Sequence, residues 1–176
     1  MKPTQLKYLK SYPAAIIPLV NDQFFPACID AINHAQHSIS LCTFAAKYYR
    51  GKSRNTVNQF FDSLRRAAQR GVNIRLLLNG NFGSDNELTN NTFIIRYFKN
   101  PNFQAALAGK STRVHAKIIL IDGHLSILGS HNLSQRAHNV NFETSILIDS
   151  EPLNQELQNH FERLWRNRVL VQGAKG

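Results

Sequence analysis

The chain has only two cysteines in 176 residues, Cys28 and Cys42, which excludes a disulfide framework and a zinc ribbon. Both sit in apolar stretches and read as core thiols. No apolar run approaches the ~20 residues of a membrane-spanning helix. Lys2, Lys7 and Lys10 before "PAAIIPLV" faintly resemble an export signal. That stretch is short and holds Pro13 and Pro18, so a first strand is the better reading and the compartment stays open. Acidic residues are scarce: 11 against 21 lysines and arginines, a net charge of +10. The imbalance points to an anionic partner, nucleic acid or an acidic membrane surface, without choosing between them. An apolar fraction of 43% with 18% charged residues excludes a disordered polymer. The length suits one domain over residues 1–176, with its core at about 14–168.

Strand-like and helix-like stretches alternate. Ala14 to Val20 reads as a strand, and Asp22 is placed to cap a helix burying Phe25, Cys28, Ile29 and Ile32. "HSISLCTFA" is a second strand. A helix from about Thr56 to Gln69 puts Val57, Phe60, Phe61, Leu64 and Ala68 on one side, with Arg65, Arg66 and Arg70 solvated and Gly71 as its stop. "VNIRLLL" has the nearly unbroken apolar character of a central strand. Residues 79–91 read as loop by composition, with a short helix from Phe93 to Phe98; residues 100–112 give no clear element. "RVHAKIILIDGHLSILGSHN" reads as two strands around Asp122-Gly123, and "ETSILID" as another. Ser150 with Pro152 opens a last helix carrying Leu153, Leu157, Phe161, Leu164 and Trp165. The expected class is α/β: a mixed, mostly parallel central sheet with helices on both faces.

The chemistry concentrates between His115 and Asn132, as H-x-K-x4-D-x6-G-S-x-N: His115, Lys117, Asp122, Gly129, Ser130 and Asn132. Alternation puts His115 and Lys117 on one strand face. With a two-residue Asp122-Gly123 turn, Ile121 pairs with His124, Lys117 with Leu128 and His115 with Ser130. Ser130 and Asn132 then share that face; an odd-length loop or a bulge would break the arrangement. The set suits a phosphate. Lysine supplies a point charge, serine and asparagine supply neutral donors, and histidine is a nucleophile or general acid. Gly129 belongs to the pattern, and its plain alternative is a bulge.

"HAKIILID" followed by "LGSHN" resembles the HKD signature of the phospholipase D superfamily, and the order of elements is similar to one half of that family's fold, with one signature hairpin per chain. The resemblance implies that His115 attacks a phosphodiester and forms a phosphohistidine that water hydrolyses. It implies that Glu143, in "NVNFETSILID", orients the histidine as in the small bacterial endonucleases of the superfamily. Asp122 belongs to the signature, but as the turn residue it suits a structural or supporting role. One signature is half a site, and the small members complete it by homodimerising, so two copies of His115 would face one phosphate. No metal or other cofactor is implied.

Outside the signature, "KYYRGKSR" is the candidate substrate contact. Lys47, Arg50, Lys52 and Arg54 can neutralise phosphates, and Tyr48 and Tyr49 can stack on bases; the alternative is a solvated basic loop. His34, His37, His124, His131, His138 and His160 read as structural or solvent-facing. The reading that follows is a metal-independent, sequence-nonspecific endonuclease of DNA or RNA. Its alternatives are a phospholipase or cardiolipin-type hydrolase and a non-catalytic nucleic-acid binder. An exposed apolar segment beside the cleft would favour lipid, and the sequence displays none.

Overall fold

A computed structural model describes residues 10–80, 85–98, 100–109 and 111–170; Lys2 and Lys7 lie outside them, as does part of the 79–91 stretch. The first strand, β1 (Ala15–Val20), forms one edge of an eight-stranded sheet. An edge tolerates Pro18, which has no N–H to give a neighbour. A single 3-10 turn, Asn21–Gln23, then leads into α1 (Phe24–His34). Asp22 lies inside that turn and does not cap α1, whose N-cap residue is Gln23. Phe25, Cys28 and Ile32 are buried as the periodicity requires, with Phe24 and Ala31 beside them.

From β2 (Ser38–Thr43) the chain crosses by α2 (Thr56–Gln69) to β3 (Asn73–Leu78), then by α3 (Asp85–Tyr97) to β4 (Phe103–Ala108). The amide of Asn55 caps α2 by accepting from the N–H groups of Val57 and Asn58. Gly71, at φ +98°, stops it. The Gly71 N–H reaches Ala68 O and the Val72 N–H reaches Ala67 O, both at 3.1 Å, a left-handed cap that suits glycine. Arg70 is not solvated as expected: its guanidinium donates to the carbonyls of Ile32 and Ala35 at the end of α1. Helix α3 begins eight residues before Phe93, at Asp85. Its Asn- and Thr-rich composition hides it, because Asn91 takes a buried place by hydrogen bonding where an apolar residue would have revealed the period.

The hairpin follows as β5 (Ile118–Ile121) and β6 (Leu125–Gly129), then α4 (Gln135–Asn139), β7 (Thr144–Asp149), α5 (Glu151–Arg166) and the two-residue β8 (Arg168–Val169). Strand order is β1-β7-β6-β5-β2-β3-β4-β8. The sheet is mixed, with helices on both faces. The expected parallel majority is corrected: parallel pairing is confined to β2-β3-β4, and every other pairing is antiparallel. The helical crossovers account for the parallel pairs and a tight turn for β5-β6, while β1-β7, β2-β5 and β4-β8 pair strands distant in sequence.

One face is packed by α1, α2 and α3 around Phe25, Phe60, Phe61, Ile74, Leu76 and Ile94. The other is packed by α5, through Phe161 and Trp165 on Leu77, Ile118 and Leu120. Arg75 stands on this second face, joined to Glu162 at 2.6 Å and lying over the rings of Phe161 and Trp165. Cys28 and Cys42 are buried core thiols, and burial raises both, Cys42 to about 12. Among the described residues, no helix is long and apolar enough to cross a membrane.

Candidate active site at the open end of the hairpin

The hairpin turn is longer by one residue than Asp122-Gly123 predicts. His124 N–H closes on the Ile121 carbonyl at 3.2 Å, yet the ladder pairs Ile121 with Leu125 and Ile118 with Leu128. Asp122 and Gly123 both have positive φ, +49° and +77°. The odd loop breaks the predicted pairing of His115 with Ser130. Both strands end before those residues, so strand alternation no longer decides where they point.

The site gathers instead around the carboxyl end of β2. Asn79 holds the approach to β5 by accepting from Val114 N–H at 2.9 Å. The next residue, His115, is exposed, its Nδ1 3.5 Å from Lys117 Nζ, and the same ammonium donates to the His115 carbonyl at 2.6 Å. Both flank the ring of Phe44, which lies 5.2 Å from the imidazole and 5.7 Å from the ammonium; the Arg113 guanidinium is 5.4 Å from the same ring. Burial pushes the Lys117 ammonium below its ordinary pKa, against an upward pull from the charge of Glu143.

From the other strand, Ser130 donates to the Glu143 carboxylate, whose second oxygen accepts from Asn141 Nδ2 at 2.8 Å. Glu143 is buried, and its backbone is clamped to Asn21 in both directions, at 3.0 Å each. Within one chain it therefore bonds to Ser130 and not, as expected, to the far nitrogen of His115. Asn132 accepts from Thr43 Oγ1 at 3.4 Å and from Ala45 N–H at 3.3 Å, on the flank of Phe44. Leu133 and Ala46 form a parallel bridge just beyond. Gly129 is no bulge: a Cβ there would lie 2.0 Å from Ser145 Oγ and 2.5 Å from Ser145 Cα, so only glycine lets β6 approach β7 this closely.

Asp122 lies at the opposite end of the hairpin. Its carboxylate accepts the N–H groups of Gln36, His37 and Ser38 at 2.7–2.9 Å. Burial pushes this carboxyl up, but the three N–H groups outweigh it and hold it below the usual range.

The basic loop divides. Lys47, Arg50, Lys52 and Arg54 are exposed. The Tyr48 ring is taken up inside the fold, which corrects the expectation for that residue. Tyr48 packs among Phe61, Phe93, Tyr97 and Phe98, and burial followed by its bond to Tyr97 raises its hydroxyl to about 12. Tyr49 Oη accepts from Gln135 N–H at 2.8 Å. The remaining histidines are structural or solvent-facing, His131 most clearly: it is buried, stacked on Phe24, and bonded to Ser145 and Asn21.

Sequence reading missed Phe44 and Arg113. The available signal was position, since Phe44 directly follows a parallel strand, where open α/β sheets place their sites. It also missed an apolar loop beside the site: Val140 and Phe142 are 70% and 82% exposed, and Phe142 precedes Glu143. Among the described residues no three His, Cys, Asp or Glu side chains cluster as metal ligands would.

A family model described as "Cardiolipin synthase, PLD-like domain" matches residues 28–165. Cardiolipin synthase B of Salmonella typhimurium is 36% identical over 122 residues, 64% of this chain and 28% of the relative, so the chain spans about a quarter of the curated relatives it matches. Solved structures share the fold, among them two that this chain matches over their whole length. Nuc of Salmonella typhimurium, described as a phospholipase D family member, has a TM-score of 0.76 at 16% identity, covering 92% of this chain and all of that one. NucT of Helicobacter pylori has a TM-score of 0.71 at 16% identity, covering 90% of this chain and all of that one.

Proposed function

The chain belongs to the phospholipase D superfamily, through its cardiolipin synthase PLD-like domain, and from that premise we propose that it is a metal-independent phosphodiesterase, an endonuclease of nucleic acid with little sequence preference. The observation that carries this reading is the exposed His115 imidazole 3.5 Å from the Lys117 ammonium, with the Ser130–Glu143 pair acting on that ammonium by its charge and Asn132 on the flank of Phe44, on a chain of net charge +10.

The imidazole of one copy attacks phosphorus, and a P–N bond forms as the P–O bond to the leaving group breaks. The imidazolium of a second copy gives its proton to that leaving oxygen. It then takes a proton from the water that displaces the first imidazole and restores it. Lys117 and Asn132 hold the non-bridging oxygens, where the charge develops, and Ser130, whose one proton goes to Glu143, holds that carboxylate in place. The surface supports a second copy. Ile16, Val20 and Ile146 are 60%, 37% and 37% exposed on the face of β1 and β7 that carries Thr144, next to Ser130.

The test is a cleavage assay in EDTA on single- and double-stranded DNA and on RNA, with sedimentation of the purified chain. Wild type cleaves and sediments as a dimer. His115→Ala binds within a few-fold and does not cleave. Full turnover by His115→Ala, or cleavage lost in EDTA and restored by magnesium, overturns the mechanism.

A second reading, hydrolysis of an anionic phospholipid, is favoured by exposed Val140 and Phe142 beside Glu143 and by the names of the curated relatives. Phosphatidylglycerol vesicles in the same assay decide: headgroup release without cleavage of any nucleic acid transfers the chemistry to lipid.

A further inference from the structure

Helix α3 turns two unlike faces to its surroundings. Asn91, Ile94 and Phe98 are buried, and Asn91 ties the helix to the site by donating to Phe44 O at 3.1 Å and accepting from Ala46 N–H at 3.0 Å. Thr89, Thr92, Phe93, Arg96 and Tyr97 follow one another at three- and four-residue steps or as neighbours, so they share the opposite side. Between that side and Arg50 of the basic loop lies an open groove of about 660 Å³, a size typical of pockets for small ligands, ~300–1,000 Å³.

The groove is built of cations and flat rings. The Arg50 guanidinium lies 4.1 Å over the Phe93 ring, which is stacked with Tyr97 at 5.3 Å. Tyr97 is 48% exposed, and Arg96 is exposed beside it. An acyl chain would call for aliphatic walls, and of the groove's described lining only Leu88 is aliphatic. Guanidinium groups and exposed ring faces match phosphates and unpaired bases. A duplex hides its base faces in its own stack and could use only the arginines.

We propose that this groove is a subsite for single-stranded nucleic acid flanking the cleaved phosphate, with Arg50 and Arg96 taking phosphates and Tyr97 stacking on a base. The assignment rests on the endonuclease reading and gives it a strand preference. Asn91 joins the same helix to Phe44, whose ring lies 5.2 Å from His115, so the helix that carries the subsite is anchored at the cleavage site.

Fluorescence anisotropy with a labelled single strand and its duplex, in the His115→Ala background, tests it. Tyr97→Ala weakens single-strand binding roughly 5- to 100-fold, as loss of one base–aromatic stack does. Duplex binding stays within twofold, and Tyr97→Phe keeps both. Arg50→Ala with Arg96→Ala lowers the salt slope for the single strand by about 1.4. Matching circular dichroism establishes that the variants fold. Unchanged single-strand affinity in Tyr97→Ala, or equal loss on both strands, overturns the subsite. So does loss of phosphatidylglycerol-vesicle binding alone, which would make the groove a lipid site. Wild type cleaving DNA while Tyr97→Ala is neutral removes the subsite and leaves the endonuclease standing. A wild type that neither cuts nor binds any oligonucleotide removes both.

Discussion

At its turn, the β5–β6 hairpin carries an acid whose oxygens are fully engaged inside the fold: Asp122 receives three backbone N–H groups and pins the start of β2. At its open end, the same two strands deliver His115, exposed, and Lys117, whose nearest partners are the histidine itself and an aromatic ring. Both ends belong to one sequence signature, and only one has groups left over for a ligand. Satisfied polar groups position; incompletely satisfied ones do chemistry. The comparison sorts the signature by hydrogen-bond inventory, which spacing alone does not give.

The largest effect that could break this division is at the open end. His115→Ala removes the attacking group and should lower kcat by roughly 10⁴-fold or more, measured by single-turnover cleavage. Lys117→Met removes one cation from the developing charge and should cost roughly 10²–10³-fold in kcat. Neither should shift the unfolding midpoint as much as a change at Asp122 does. A Lys117 variant that unfolds while its folded fraction cleaves normally would put lysine with the anchors.

At the turn the prediction reverses. Asp122→Asn keeps the shape, loses the charge, and should cost about 1–3 kcal/mol of stability, read by urea unfolding. The folded pKa of Asp122 is depressed, so its contribution is present above the unfolded carboxyl value of ~3.9 and is lost as pH falls through the lower folded value. Wild type should therefore lose stability on acidification below that point more steeply than Asp122→Asn. Parallel acid limbs for the two proteins would mean that the three N–H bonds do not favour the ionised form.

These contrasts also mark what could be read from the sequence. Helix α2 was legible to its ends, because Val57, Phe60, Phe61 and Leu64 keep the helical period and Gly71 stops it. The signature was legible because six residue types at fixed spacing seldom coincide. The register was not: whether Asp-Gly makes a loop of two residues or three depends on backbone angles at Asp122 and Gly123 that composition does not fix. Helix α3 was hidden because Asn91 is buried through hydrogen bonds. Phe44 was hidden because it is far in sequence from the residues it supports; only pairing β2 with β5 brings it to them. Tyr48 was misread because a tyrosine beside basic residues looks like a stacking platform until its aromatic neighbours are placed.

His131 sharpens the comparison with the smallest effect, because it sits between Ser130 and Asn132 at the reactive end yet is satisfied like Asp122. Nε2 meets the Asn21 carbonyl at 3.0 Å and Nδ1 the Ser145 hydroxyl at 2.8 Å. A carbonyl only accepts, so Nε2 carries the proton and Nδ1 takes the serine's. Burial lowers the pKa of this imidazole, against the Asn21 bond and the charge of Glu143. A base depressed in the fold is neutral in both states above the unfolded value of ~6.5. Below it the unfolded chain takes up a proton that the fold resists, so stability falls with pH until the lower folded value is reached. The slope cannot exceed about 1.4 kcal/mol per pH unit for one proton. His131→Gln should flatten the fall in Tm between pH 6.5 and 5 while keeping kcat within a few-fold, once the loss of folded protein is corrected. If position decided role, the variant would instead lose cleavage with an unchanged Tm profile, and the division by hydrogen-bond inventory would fail at the residue where the two criteria disagree.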